Sequence, residues 1–186
     1  MNKLFVCLLC ASTTSAWAAE SFVLDPGHTF PSFEIRHQGV SVMRGKFNRS
    51  QGRVVLDPNG AGSRIEVSED ASSVDTGLED LNQKLLGSNF FSTAQFPEIR
   101  FVATEVAFQD GKPVSATGNL TLLGVTRPLT LEIRDYACTR QFPTLRPLCG
   151  ADVHASIRRS EFGMKYGIPL IGDEVNLAIE VEGLLE

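Results

Sequence analysis

Apolar and polar residues alternate along most of the chain. Phe33, Ile35 and His37 share one parity against Glu34 and Arg36, and Ala116, Gly118, Leu120 and Leu122 alternate with Thr117, Asn119 and Thr121. Leu129, Leu131 and Ile133 repeat the pattern, as do Val54 with Leu56, Ile65 with Val67, Val153 with Ala155 and Ile157, and Val175 with Leu177, Ile179 and Val181. Successive side chains of a strand point to opposite faces, so this period of two predicts strands with one buried and one solvated face. That is the pattern of antiparallel sheet rather than of a parallel sheet covered by helices. Between residues 99 and 108 the apolar parity changes from odd (Ile99, Phe101, Ala103) to even (Val106, Phe108), which predicts a bulge near Glu105. Turn-forming clusters at Asp57-Pro58-Asn59-Gly60, Asp110-Gly111-Lys112-Pro113 and Gly124-Val125-Thr126-Arg127-Pro128 separate the runs, giving about eight strands.

One segment departs from the alternation. Leu78, Leu81 and Leu85 recur at helical spacing behind Thr76-Gly77-Leu78-Glu79, which has the form of a capping box with Thr76 as N-cap and Glu79 at N3. Gly87 is placed to end that helix in a left-handed turn. The expected fold is therefore all-β: an antiparallel eight-stranded barrel, or two stacked sheets, with one short helix between the early and later strands.

Composition narrows the reading. The chain has 17 basic and 22 acidic residues, a net charge of -5, with no block of like charge, which disfavours nucleic acid as a partner. The first 18 residues read as a secretory signal peptide: Lys3, then the apolar run LFVCLLCA, then Ala16-Trp17-Ala18 as a small-x-small cleavage site. Residues 19–186 would then form one domain, periplasmic or secreted. In such a compartment Cys138 and Cys149 are expected to form a structural disulfide.

The 12 Phe against 2 Tyr and 1 Trp suit a dry interior better than a wet interface. An eight-stranded barrel is just wide enough to pack solid or to hold one small ligand. Ala103, Ala116, Gly118 and Ala155 on inward parity would leave room, and Phe33, Phe47, Phe90, Phe91, Phe96, Phe101, Phe108 and Phe162 would wall it; the same residues would also serve a solid core. His28, His37 and His154 match no common metal spacing, and no nucleophile elbow is present, so neither a metal nor a cofactor is expected. Arg44, Lys46 and Arg158 lie near strand ends, where they are candidates to hold an anionic head group.

Several segments in order resemble the YceI-like family of exported lipocalin-like, polyisoprenoid-binding proteins. They are FEIRHQGVSVMRGKF (33–47), SVDTG (73–77), LLGSNFFSTAQFPEIRF (85–101), GNLTLLGVTRPLTL (118–131), RRSEFGM (158–164) and DEVNLAIEVEG (173–183). The resemblance implies a lipocalin-like barrel around an apolar tunnel. It implies non-enzymatic binding, and transport or storage, of a long-chain amphiphile (an isoprenoid, a quinone or a fatty-acid-derived lipid), with a link to stress responses. The ligand set expected on that basis is Phe33, Ile35, His37, Phe47, Phe90, Phe91, Phe96, Phe101, Leu120, Leu122 and Phe162. A membrane cytochrome partner and a homodimer are further expectations. The segment between Cys138 and Cys149 lies outside the matching motifs and is expected as an insertion between strands that reshapes one mouth. The competing readings are a lipid hydrolase in the same barrel and a solid-core interaction module.

Overall fold

The computed structural model describes residues 19–59 and 62–186; the expected signal peptide lies outside them. Eleven strand segments form one antiparallel sheet that closes on itself. The closed ring runs β1 (Glu20–Leu24), β4 (Ser50–Leu56), β5 (Arg64–Asp70), β7 (Glu98–Gln109), β8 (Lys112–Leu122), β9 (Val125–Gln141), β10 (Arg146–Arg158) and β11 (Ile171–Leu185), and β11 pairs back onto β1. Closure leaves the ring without a free edge.

The other three segments extend this wall. β2 (Phe30–His37) pairs with β11 beside β1, β3 (Ser41–Phe47) pairs with β2, and β6 (Val74–Asp75) pairs with β3. Thus β1 with β2, β3 with β4, and β5 with β6 are each the halves of one bent strand. Counted this way the barrel has eight strands, as the alternation predicts.

The three bends lie side by side and are stitched by polar side chains. At the first, the Asp25 carboxylate accepts from the Gly27 N–H at 2.9 Å, and Thr29 Oγ1 meets the Glu182 backbone at 3.3 Å. At the second, Ser73 Oγ accepts the N–H groups of Asn48 and Arg49, both at 3.1 Å. At the third, residues 71–73 form one turn of 3-10 helix capped by Asp70, whose carboxylate accepts from the Ser72 N–H at 2.8 Å. Backbone groups freed where the ladder bends are therefore still paired.

The tight hairpins have two-residue loops in positive-φ conformations: Asp110-Gly111 (51° and 76°) and Leu123-Gly124 (52° and 71°). Val125 to Pro128, expected as part of a turn, are instead the start of β9, with Pro128 opposite Asn119. The bulge falls between Ala103 and Glu105, at the predicted parity change.

The helix α1 (Glu79–Leu86) forms where its leucines predict, but its caps differ from expectation. Thr76 is not the N-cap; its N–H and hydroxyl both lie 2.8 Å from Asn82 Oδ1, and Glu79 pairs with Gln83. A helix side chain thus reaches back to hold the preceding turn. Gly87 is extended (φ -73°) rather than left-handed, because the chain folds back and Phe91 and Thr93 donate to the terminal carbonyls of Leu85 and Leu86.

Cys138 and Cys149 are bonded, but not across an inserted loop: they face each other directly on β9 and β10, with Cα atoms 4.1 Å apart. The two strands simply run on into a hairpin whose loop is residues 142–145. Among the described residues no helix is long and apolar enough to cross a membrane.

Candidate functional site

The barrel encloses a cavity of about 320 Å3 whose wall is almost entirely apolar. That volume falls within the range of small-molecule sites, roughly 300–1,000 Å3. Every ring strand contributes to the wall, as do Pro31, Phe33 and Ile35 from β2 and Met43 and Phe47 from β3. Leu81 and Leu85 of α1, with Phe90 and Phe91 of the following turn, cover the part of the cavity that β6 is too short to close. This explains the spacing of Leu81 and Leu85, which lid the barrel, whereas Leu78 is the helix N-cap and stays exposed.

Most of the predicted ligand set converges here. Phe33, Ile35, Phe47, Phe90, Phe91, Phe101, Leu120 and Leu122 all line the cavity. Phe33, Phe47 and Phe91 pack as a mutual cluster, with ring centroids 5.9, 6.3 and 5.3 Å apart. Gly45 makes that cluster fit, since a Cβ there would lie 2.4 Å from the Phe33 ring. His37, Phe96 and Phe162 stand elsewhere. His37 closes β2 at its hairpin end, Phe96 lies against the turn at Gly124, and Phe162 is buried in the core cluster with Ile65, Ala103 and Ala116 without lining the cavity itself.

The small residues have two different reasons. Ala116 borders the cavity. Gly118 does not: a Cβ there would come within 2.2 Å of the Val102 carbonyl, because β7 approaches closely just before its bulge.

The cations are dispersed rather than gathered. Arg44 reaches the cavity rim but is exposed and paired with Glu34 at 2.6 Å. Lys46 sits 4.4 Å over the Phe30 ring, and Arg158 borders a separate polar groove with Arg127, Glu161 and Glu174. The inward arginine is Arg159, only 2% exposed. It donates to four carbonyls, those of Gly172 (2.7 Å), Met164 (3.1 Å), Tyr166 (2.9 Å) and Ile171 (3.0 Å), and so fixes the loop from the 3-10 turn at residues 159–162 to β11. Burial holds its guanidinium below the usual range, against the favourable field of Asp173. With four of its five N–H donors spent on the loop, Arg159 is a scaffold group at the cavity wall.

One acid stands in the apolar wall. Glu69 continues the inward parity of Ile65 and Val67, is 7% exposed, and lines the cavity. Its Oε2 is hydrogen-bonded to Ser50 Oγ, while Oε1 has no protein partner. Burial pushes its carboxyl up to about 7, although the Ser50 bond pulls the other way. Sequence reading passed over Glu69, yet its parity was the available signal.

Outside the barrel, Asp25, His28 and Glu182 bring one ligand-type atom each to within 4.8 Å of one another. His28 is exposed and lies 3.0 Å from Asp25; that contact raises the imidazole pKa and lowers the carboxyl pKa. An exposed ion pair accounts for this group.

Comparison with known proteins agrees with the geometry. The YceI-like domain model matches residues 22–183. A UPF0312 protein of Enterobacter sp. (strain 638) is 34% identical over 175 residues, 93% of this chain and 90% of that protein. Protein YceI of Escherichia coli O157:H7 is 33% identical over 175 residues, 93% and 91% of the two chains. Among solved structures, Burkholderia cenocepacia BcnA superposes with a TM-score of 0.72 at 22% identity, over 86% of this chain and 98% of that one. A polyisoprenoid binding domain from Saccharophagus degradans superposes at 0.63 with 16% identity, over 90% and 99%.

Proposed function

The chain belongs to the YceI-like family, and from that premise we propose that it is a non-catalytic carrier of a long-chain amphiphile, an isoprenoid, quinone or fatty-acid-derived lipid, held in the barrel. The dry cavity is the observation that supports this reading most directly. Burying an apolar chain gains about 25 cal/mol per Å2, and a preformed cavity recovers that gain without ordering a flexible protein. The structural neighbour from Saccharophagus degradans, described as polyisoprenoid binding, supports the same ligand class.

The carrier works outside the cytoplasm, in the periplasm or beyond, and moves or stores its cargo across an aqueous gap. The leader-like first 18 residues and the Cys138–Cys149 bond both support export, since disulfides persist in oxidising compartments.

Native mass spectrometry of gently purified protein tests the function. The expected spectrum contains a bound amphiphile that organic extraction removes and that farnesol or a short-chain quinone replaces. Protein that carries nothing and takes up neither probe would refute the proposal, and turnover of a lipid ester would favour a hydrolase instead.

A further inference from the structure

The wall of a purely apolar container has no need of a carboxyl group. Leaving a buried acceptor unpaired costs about 1–3 kcal/mol, and burying an ionised carboxylate costs more. Glu69 nevertheless stands in the cavity wall with Oε1 unpaired. Its neighbours indicate which form it takes. Ser50 Oγ lies against Glu69 Oε2 and 3.1 Å from the Thr29 carbonyl, and Ser50 and Thr29 are 5% and 1% exposed. A hydroxyl has one proton to give. If Glu69 were ionised, Ser50 would face two acceptors and could satisfy one. If Glu69 carries its proton on Oε2, the acid donates to Ser50 Oγ, Ser50 donates to the Thr29 carbonyl, and both contacts are satisfied. Oε1 is then a neutral carbonyl oxygen, an acceptor only. This relay sits where the bent strands turn: Ser50 opens β4, Glu69 is the next-to-last residue of β5, and Thr29 lies between β1 and β2.

We propose that Glu69, held as a neutral acid by Ser50, is a specificity-determining residue of the cavity: its Oε1 accepts a hydrogen bond from a hydroxyl or N–H group of an otherwise apolar guest. This deepens the carrier reading and rests on it. The preferred cargo is a neutral long-chain alcohol or amide. An acceptor-only group, such as an ether oxygen or a quinone carbonyl, gains nothing from this oxygen, and a phosphate dianion is repelled by it.

The test compares two probes that differ at one proton donor, all-trans-farnesol and its methyl ether, against delipidated protein. The expected result is about tenfold tighter binding of the alcohol by the wild type, the scale of one hydrogen bond in a dry site. Glu69→Met removes the acceptor and should erase the preference while leaving the affinity for the ether. Glu69→Gln reproduces the neutral acid's pattern, with its amide N–H2 donating to Ser50 and its carbonyl free, and should keep the preference; it also covers the case in which Glu69→Met does not fold. Equal binding of the two probes by wild type, or loss of the preference in Glu69→Gln, would overturn the role of Glu69 and leave the carrier standing. Binding of neither probe would remove both.

Discussion

Replacing Glu69 by Gln should change how stability depends on pH, in a direction the structure fixes. The native carboxyl binds its proton up to about pH 7, whereas an unfolded chain releases it near the ordinary value of 4.5. Between those two values the unfolded state holds fewer protons than the native state, so the Glu69 contribution lowers stability as pH rises. Below 4.5 both states are protonated and above 7 both are ionised, so the effect is confined to that window. A shift of roughly 2.5 units at about 1.36 kcal/mol per unit corresponds to about 3 kcal/mol. Gln cannot ionise and lacks this slope. Urea unfolding of both proteins, followed by far-UV circular dichroism from pH 4 to 8, gives the difference directly, and the titrating groups common to both cancel. Glu69→Gln should gain on the wild type across pH 4.5–7, by up to about 3 kcal/mol, and run parallel outside that window. A flat difference, or one that grows towards acid, would refute the argument that burial keeps this acid neutral.

Three further perturbations test other parts of the structure. Arg159→Met strands four carbonyls that now share one guanidinium; the expected loss is about 3 kcal/mol or more, with faster amide exchange confined at first to residues 164–172, and unchanged protection there would contradict the scaffold role. The Cys138→Ser, Cys149→Ser pair should lower stability by about 2–3 kcal/mol in denaturant, matching the effect of reductant on wild type, and a pair as stable as the oxidised protein would show that the bond adds nothing to the β9–β10 register. Gly118→Ala, although it adds one methyl group, should cost about 1–3 kcal/mol because the Val102 carbonyl occupies the space a Cβ needs, and a neutral result in thermal unfolding would show that β7 yields at its bulge.

Much of the barrel was legible because a strand with one buried face writes its period into the sequence. The parity change around Glu105 located the bulge, and the leucines of 78–85 located the helix. What the sequence concealed was set by hydrogen-bond partners that no period of the pattern marks. Nothing local marks Asn82 as the acceptor that displaces Thr76 from its capping role, or Phe91 and Thr93 as the donors that let Gly87 stay extended. Parity also overstates membership: His37 keeps the phase of Phe33 and Ile35 but does not line the cavity, although Ile171 opposite it on β11 does. Gly118 was read as spare room when a backbone approach demands it.

Glu69 shows why the polar part of the site was the harder part to find. Hydrophobic pattern is read by majority, so an acid two residues beyond Ile65 and Val67 reads as the end of a strand face rather than as a member of it. Only the fold shows that Ser50 lies opposite it in register and that the Thr29 carbonyl completes the relay. The three residues come from three different bent strands and meet only because the bends align. The geometry that lengthens the barrel is therefore also the geometry that places a hydrogen-bonding group in its dry wall. An apolar cavity alone ranks its guests by length and girth. A single neutral acceptor adds a second criterion, the presence of a proton donor at one depth along the chain. Because the acceptor is uncharged, it does so without the desolvation cost that a fixed ion would impose on every cargo.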